Sequence, residues 1–273
     1  KKATHLLYIV GGRSEWIEKY NFFLNQLSLP SSLQVISWDH RGQGASEGKR
    51  AHINSYKQYA QDFLFLNQKV NKNRLPVMII CHSMGCLITL QTILLSKEAF
   101  TENLILLSPL LGLSRRYPPQ IIRKFLTGIA RITGMEKKRI PGKSYDTCFE
   151  KNMLTHSKKR FEYIKSSPYK IPNPTYQWMH ETDKALDEVF KKENLAKMPK
   201  NISMYLAKND LIISNQKAIT WLQLLKKDTP HQQSYTIIKN AHHELLQEKD
   251  KILIKMSEVI HSHLKDWFQN KGG

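Results

Sequence analysis

The chain has 273 residues, is 41% hydrophobic and 10% aromatic, and carries a formal net charge of +19, which suits one large globular domain or a core with an inserted sub-domain. No apolar run approaches the roughly 20 residues that a membrane-crossing helix needs, and three cysteines, Cys81, Cys86 and Cys148, exclude a regular disulfide framework and favour a reducing compartment. The positive charge reflects either a lysine-rich background or attraction to phosphate-bearing surfaces; without a helix-turn-helix, zinc-finger or RNP signature, nucleic acid is not an expected partner.

In chain order, residues 6–10 read as a buried strand ended by Gly11 and Gly12. The run is too short for a signal-peptide core, although the chain does not begin with Met and export stays open. Residues 14–27 read as an amphipathic helix, 33–38 as a second strand and 54–71 as a second helix. Residues 77–80 form a third strand that runs into Cys81-His82-Ser83-Met84-Gly85 and an apolar helix over 87–95; 104–107 is a fourth strand. Alternation then stops. Residues 112–197 carry helical patterns and proline-rich turns but no clear strand, and resume alternation only with a strand at 202–207, a helix at 214–227, a strand at 234–238 and a helix at 250–269. The expected organisation is an α/β core, 1–111 and 198–273, with a mostly parallel sheet, interrupted by a helical cap at 112–197. That insertion holds nineteen Lys/Arg against nine Asp/Glu, so +10 of the net charge falls on 86 residues.

A serine hydroxyl becomes a nucleophile when it has a base, an orienter for that base, and donors for the developing oxyanion. A sharp strand-to-helix turn presents such a hydroxyl at the end of a parallel sheet, and requires small residues two positions before and after it. Residues 77–95 supply strand, Cys-His-Ser-Met-Gly and helix, which marks Ser83; Cys81 stands where glycine is usual. In chains with this turn the acid follows, then the histidine. Asp210 ends the loop after the strand at 202–207, and His242 and His243 follow the last strand; spacing does not choose between them. The oxyanion donors are expected to be the N–H of Met84 and one from the Gly11-Gly12-Arg13 loop.

These residues resemble a family. Asp39-His40-Arg41-Gly42-Gln43-Gly44-Ala45-Ser46 is similar to the D-x-R-G-x-G-x-S loop of monoacylglycerol lipases and bacterial lysophospholipases. His82-Ser83-Met84-Gly85 resembles their elbow, and Asn240-Ala241-His242-His243-Glu244 their G-A-x-H-E ending. Gly12-Arg13-Ser14-Glu15 with Lys19-Tyr20, and the cap stretch Asn173 to Trp178, look most like the lysophospholipases. The resemblance implies an α/β-hydrolase fold and makes His243 the catalytic histidine, with oxyanion amides from Arg13 and Met84. It places Gly12, His82, Tyr176 and Trp178 around a single-acyl lipid substrate and calls for no metal or organic cofactor. Departures are Gly11, where histidine or proline is usual, and Cys81. The competing readings are an amide or peptide hydrolase on the same fold, and an inactive basic lipid-binding scaffold. Dehalogenase and epoxide hydrolase chemistry is disfavoured, since it calls for aspartate at position 83.

Within the cap, Pro118-Pro119 can start a helix with Ile121, Ile122, Phe125, Leu126, Ile129 and Ile132 on one face and Arg123, Lys124 and Arg131 on or near the other. Core packing is the expected fate of that apolar face; docking on an anionic membrane is the other. The expected location is cytoplasmic or peripherally membrane-associated.

Overall fold

The structure is a computed structural model and describes residues 2–96, 100–142, 148–228 and 233–270. Six strands, β1 (His5–Val10), β2 (Leu33–Ser37), β3 (Val77–His82), β4 (Asn103–Leu107), β5 (Asn201–Ala207) and β6 (Gln233–Ile238), form one sheet in the order β2-β1-β3-β4-β5-β6. Every adjacent pair is parallel. The central strands β1, β3 and β4 are apolar runs buried along nearly their whole length, as a sheet covered on both faces demands. One face packs under α2 (Lys57–Val70), α3 (Met84–Leu95) and α8 (Asn215–Asp228), and the other under α1 (Asn21–Leu24) and α9 (Asp250–Asn270). The strand order reverses between β1 and β3, and the crevice beyond their C-terminal ends is where such sheets place ligands.

The helix expected at 14–27 is much shorter. A 3-10 turn, Ile17–Tyr20, leads into the four-residue α1. Ser14 has φ of 64° and Trp16 is extended, so helical hydrogen bonding does not start there. The amides of this segment go to side chains instead: Ser14 N–H to Gln43 Oε1 and Ile17 N–H to Asp39 Oδ1. The 39–48 loop thus braces the loop after β1.

Between β4 and β5 the described residues contain α4 (Gln120–Ile132), α5 (Lys158–Lys165), α6 (Tyr176–Phe190) and α7 (Lys192–Leu195), and no strand of the sheet. Helix α4 corrects the expectation of core packing. Its buried side chains are Arg123, Thr127 and Ala130, while Ile121 is 78% exposed, Phe125 67% and Ile132 88%. The polar side faces inward because α6 offers partners there. Arg123 forms a two-pronged ion pair with buried Asp183, Gln120 reaches Asp187 Oδ1 at 3.0 Å, and Lys124 pairs with Asp187. The apolar stripe is left facing solvent.

Candidate active site

The elbow sits between β3 and α3. Ser83 has φ of 50°, the left-handed region that ordinary residues avoid, so its side chain is held in a strained turn above the first turn of α3. Its amide is tied to Leu107 O at 3.0 Å and its carbonyl accepts from Leu110 N–H at 3.0 Å. The small residue two positions after it is obligatory: a Cβ on Gly85 would lie 2.2 Å from Val10 O and 2.5 Å from Gly11 O. The position two before is less confined. Cys81 is fully buried, and its thiol points at Ile105 O at 3.5 Å.

Three segments far apart in the chain converge here. His243 Nε2 lies 2.8 Å from Ser83 Oγ, and His243 Nδ1 lies 2.7 Å from Asp210 Oδ2. Asp210 Oδ1 accepts from the N–H groups of Ile212 and Ile213 at 2.8 and 3.0 Å. Burial pushes the Asp210 carboxyl up, but the His243 ring and these hydrogen bonds outweigh it and hold the group below its ordinary value. His242, the neighbour that spacing left in contention, packs instead against His156, with ring centroids 3.7 Å apart and the planes tilted by 43°. The insertion grips the histidine loop from the other side: Met153 O and Leu154 O accept from His243 and Glu244 N–H, and Thr155 donates to Gln247 O.

A cavity of about 430 Å³ opens over Ser83 and His243. Its walls are largely apolar, with Leu110, Leu113, Ile140, Ile171, Trp178 and Met179 among them. Arg13 and Met84, the expected oxyanion donors, line it beside Ser83. Trp178 also lines it, under the Arg13 guanidinium at 5.5 Å. Gly12 lies flat against the elbow rather than in the wall; a Cβ there would sit 3.1 Å from Ser83 Cβ. His82 lines the cavity floor with both ring nitrogens already engaged by protein. Tyr176, at the start of α6, lies outside the cavity wall.

Three residues given no role from sequence stand behind this site: Glu15, Lys19 and Glu244, all buried. Glu15, His82 and Glu244 have the spacing of metal ligands, but the Lys19 ammonium lies 2.6 and 2.7 Å from the two carboxylates and supplies the cation there. A glutamate four residues before a lysine, in a segment whose neighbours are aromatic, was the signal available in the sequence.

Comparison with known proteins decides the family. The family model described as "Serine aminopeptidase, S33" (Hydrolase_4) matches residues 1–250. The chain belongs to this family. Among curated relatives, this Hydrolase_4 chain is 27% identical over 263 residues to a probable lysophospholipase L2 of Haemophilus influenzae, covering 90% of the chain and 79% of the relative. It is 22% identical over 253 residues to phospholipase YtpA of Bacillus subtilis, covering 92% of each. Among solved structures, monoglyceride lipase from Saccharomyces cerevisiae superposes with a TM-score of 0.76 at 17% identity, over 97% of this chain and 87% of that one. A carboxyl esterase from Bacillus coagulans superposes equally well, over 97% and 91%. The chain is therefore a hydrolase with the α/β-hydrolase fold, similar to lysophospholipases in sequence and to monoglyceride lipase in fold.

Proposed function

We propose that this hydrolase cleaves the carboxylic ester of a single-acyl lipid, a lysophospholipid or a monoacylglycerol, with Ser83 as nucleophile. The carrying observation is the relay Ser83–His243–Asp210, at 2.8 and 2.7 Å, at the base of a largely apolar cavity. Ser83 Oγ attacks the acyl carbon while its proton passes to His243 Nε2. Negative charge gathers on the former carbonyl oxygen, against the N–H groups of Arg13 and Met84. As the carbon–oxygen bond to the head breaks, the imidazolium returns the proton to the leaving alkoxide, and an acyl-enzyme remains. Water, deprotonated by His243, attacks the acyl carbon and frees the fatty acid and the serine. Asp210 keeps the Nδ1 proton in place throughout and stabilises the imidazolium.

The family's description points to a second reading, an aminopeptidase. Such an enzyme binds a substrate ammonium, and the cavity's charges oppose that. Arg13, Lys19 and Lys170 line it, and Glu244, its one carboxylate among the described residues, is already paired with Lys19. The names of the curated relatives, lysophospholipase and phospholipase, favour an ester of a lipid.

Residues 112–197 serve in this reading as a cap that covers the acyl pocket and brings it to an anionic membrane surface. Support comes from the exposed apolar stripe of α4 between two exposed basic groups, Arg115 and Arg116 before it and Lys137, Lys138 and Arg139 after it. Such a helix rests its apolar side chains in the headgroup boundary with cations against lipid phosphate. Among the described residues no helix is long and apolar enough to cross a membrane.

The deciding experiment is hydrolysis of a panel of lysophosphatidylethanolamine, monooleoylglycerol and amino-acid p-nitroanilides by wild type and Ser83→Ala. Fatty-acid release that vanishes in Ser83→Ala is expected. Cleavage of the anilides alone, or fatty-acid release surviving in Ser83→Ala, refutes the proposal.

A further inference from the structure

Four ionisable side chains meet in the interior behind the nucleophile. Lys19 Nζ lies 2.6 Å from Glu15 Oε1 and 2.7 Å from Glu244 Oε1. Glu15 also accepts from Tyr20 OH at 2.6 Å and from the backbone N–H of Gly12. His82 Nδ1 lies 3.2 Å from Glu15 Oε1 and 4.0 Å from Glu244 Oε2, and its Nε2 lies 3.2 Å from the backbone carbonyl of His243. All four residues are at most 6% exposed.

The partners identify the protonation state. Both nitrogens of His82 face groups that only accept, a carboxylate and a carbonyl, so the ring satisfies both as an imidazolium. Two cations then balance two carboxylates, which is how four charges are held together in a protein core. Burial alone would pull the His82 pKa down; the Glu15 and Glu244 carboxylates outweigh it, with Lys19 opposing, and raise it to about 9. The same balance holds Glu15 well below the usual carboxylate range and lifts Lys19. The His243 ring, with its centroid 4.8 Å away, also lies against His82.

The cluster's outward bonds go to catalytic backbone. Glu15 holds the N–H of Gly12, in the peptide just before the one that carries the Arg13 N–H. His82 holds the carbonyl of His243, and Glu244 is the residue after it. We propose that Glu15, Lys19, Glu244 and His82 act as one positioning cluster, which aims the oxyanion loop and the His243 backbone at the Ser83 hydroxyl. The proposal rests on the reading of Ser83, His243 and Asp210 as the reacting groups. It makes none of the four a catalytic residue: each acts through Gly12–Arg13 or through His243. Loss of one member shifts an oxyanion donor or the base without removing it, so the penalty falls on turnover and spares substrate binding.

The test is kcat and KM for p-nitrophenyl butyrate from about pH 6 to about pH 10, for wild type, Glu15→Gln, His82→Gln and Ser83→Ala, with thermal unfolding measured in parallel. In both cluster variants kcat is expected to fall about 10- to 100-fold near neutrality while KM stays within about threefold. Wild type loses kcat on an alkaline limb near pH 9, where His82 gives up its proton. The limb is absent in His82→Gln, which does not titrate, and moves to lower pH in Glu15→Gln, which has lost a counter-charge; a merely structural role would move neither. A kcat within about twofold of wild type in both variants overturns the proposal. So does a wild-type profile without the limb, which needs no variant to fold, or a limb that survives in His82→Gln. Ser83→Ala separates the two levels. Abolished activity there with intact cluster variants removes the cluster's role and leaves the triad standing; activity surviving in Ser83→Ala removes both.

Discussion

Replacing Asp210 by asparagine separates orientation from packing, and the structure gives the direction of the effect. The side chain has two tasks on two oxygens: Oδ1 accepts from Ile212 and Ile213 N–H at 2.8 and 3.0 Å, and Oδ2 faces His243 Nδ1 at 2.7 Å. An asparagine fits with either group toward the backbone. Turning its NH₂ toward two N–H donors forfeits two hydrogen bonds in a buried site, about 1–3 kcal/mol each. The amide oxygen therefore stays on the backbone and the NH₂ faces His243. A donor now opposes Nδ1, so the imidazole keeps its proton on Nε2, facing Ser83, and cannot accept the hydroxyl proton. In a serine–histidine–aspartate relay this tautomer error lowers kcat by roughly 10⁴, about 5 kcal/mol in the barrier. The assay is p-nitrophenyl butyrate hydrolysis at neutral pH, with fluorophosphonate labelling of Ser83 slowing in parallel and thermal unfolding showing an intact fold. A folded Asp210→Asn enzyme that loses less than about tenfold refutes the assignment of Asp210 as orienter.

Three further outcomes are expected. Gly85→Ala drives a methyl group into the carbonyls of Val10 and Gly11, so it should lower stability by about 1–3 kcal/mol and abolish turnover; a variant with unchanged unfolding temperature and activity contradicts the account of the elbow. Ile121→Ser with Phe125→Ser removes two exposed side chains worth about 1.5–3 kcal/mol each when buried in lipid, so sedimentation with anionic vesicles should weaken at least about 100-fold while soluble-ester hydrolysis and stability stay unchanged; undiminished vesicle binding excludes α4 as the docking face. Arg123→Ala strands the buried Asp183 carboxylate and should cost about 3–5 kcal/mol, read by chemical denaturation; a change below about 1 kcal/mol shows that this ion pair does not fasten α4 to α6.

Local chemistry was legible wherever neighbours in sequence are neighbours in space. The strand, Cys-His-Ser-Met-Gly and helix of residues 77–95 announce the elbow because the strain at Ser83 and the crowding at Gly85 arise within that turn and the strand beside it. The alternation of strands and helices likewise announced a mostly parallel sheet flanked by helices. The segment 14–27 has the apolar spacing of a helix, but its amides at Ser14 and Ile17 bond to Gln43 and Asp39. Periodicity reports which side chains share a face, not which partners the backbone finds.

The sequence by itself determined the layered sheet and the strained turn at Ser83, because hydrophobic period and small-residue spacing are local demands. Spacing left His242 and His243 level, and the family resemblance chose His243, whose ring faces Ser83. Tertiary structure alone decided two things. It directed Arg123 of α4 inward, onto the buried Asp183 of α6, and left the isoleucines of that helix exposed. It joined Lys19 to Glu244 across 225 residues of chain, making a buried ion cluster of residues whose composition reads as surface. Charge is cheap to expose and costly to bury, so its place follows only once every partner has been brought together.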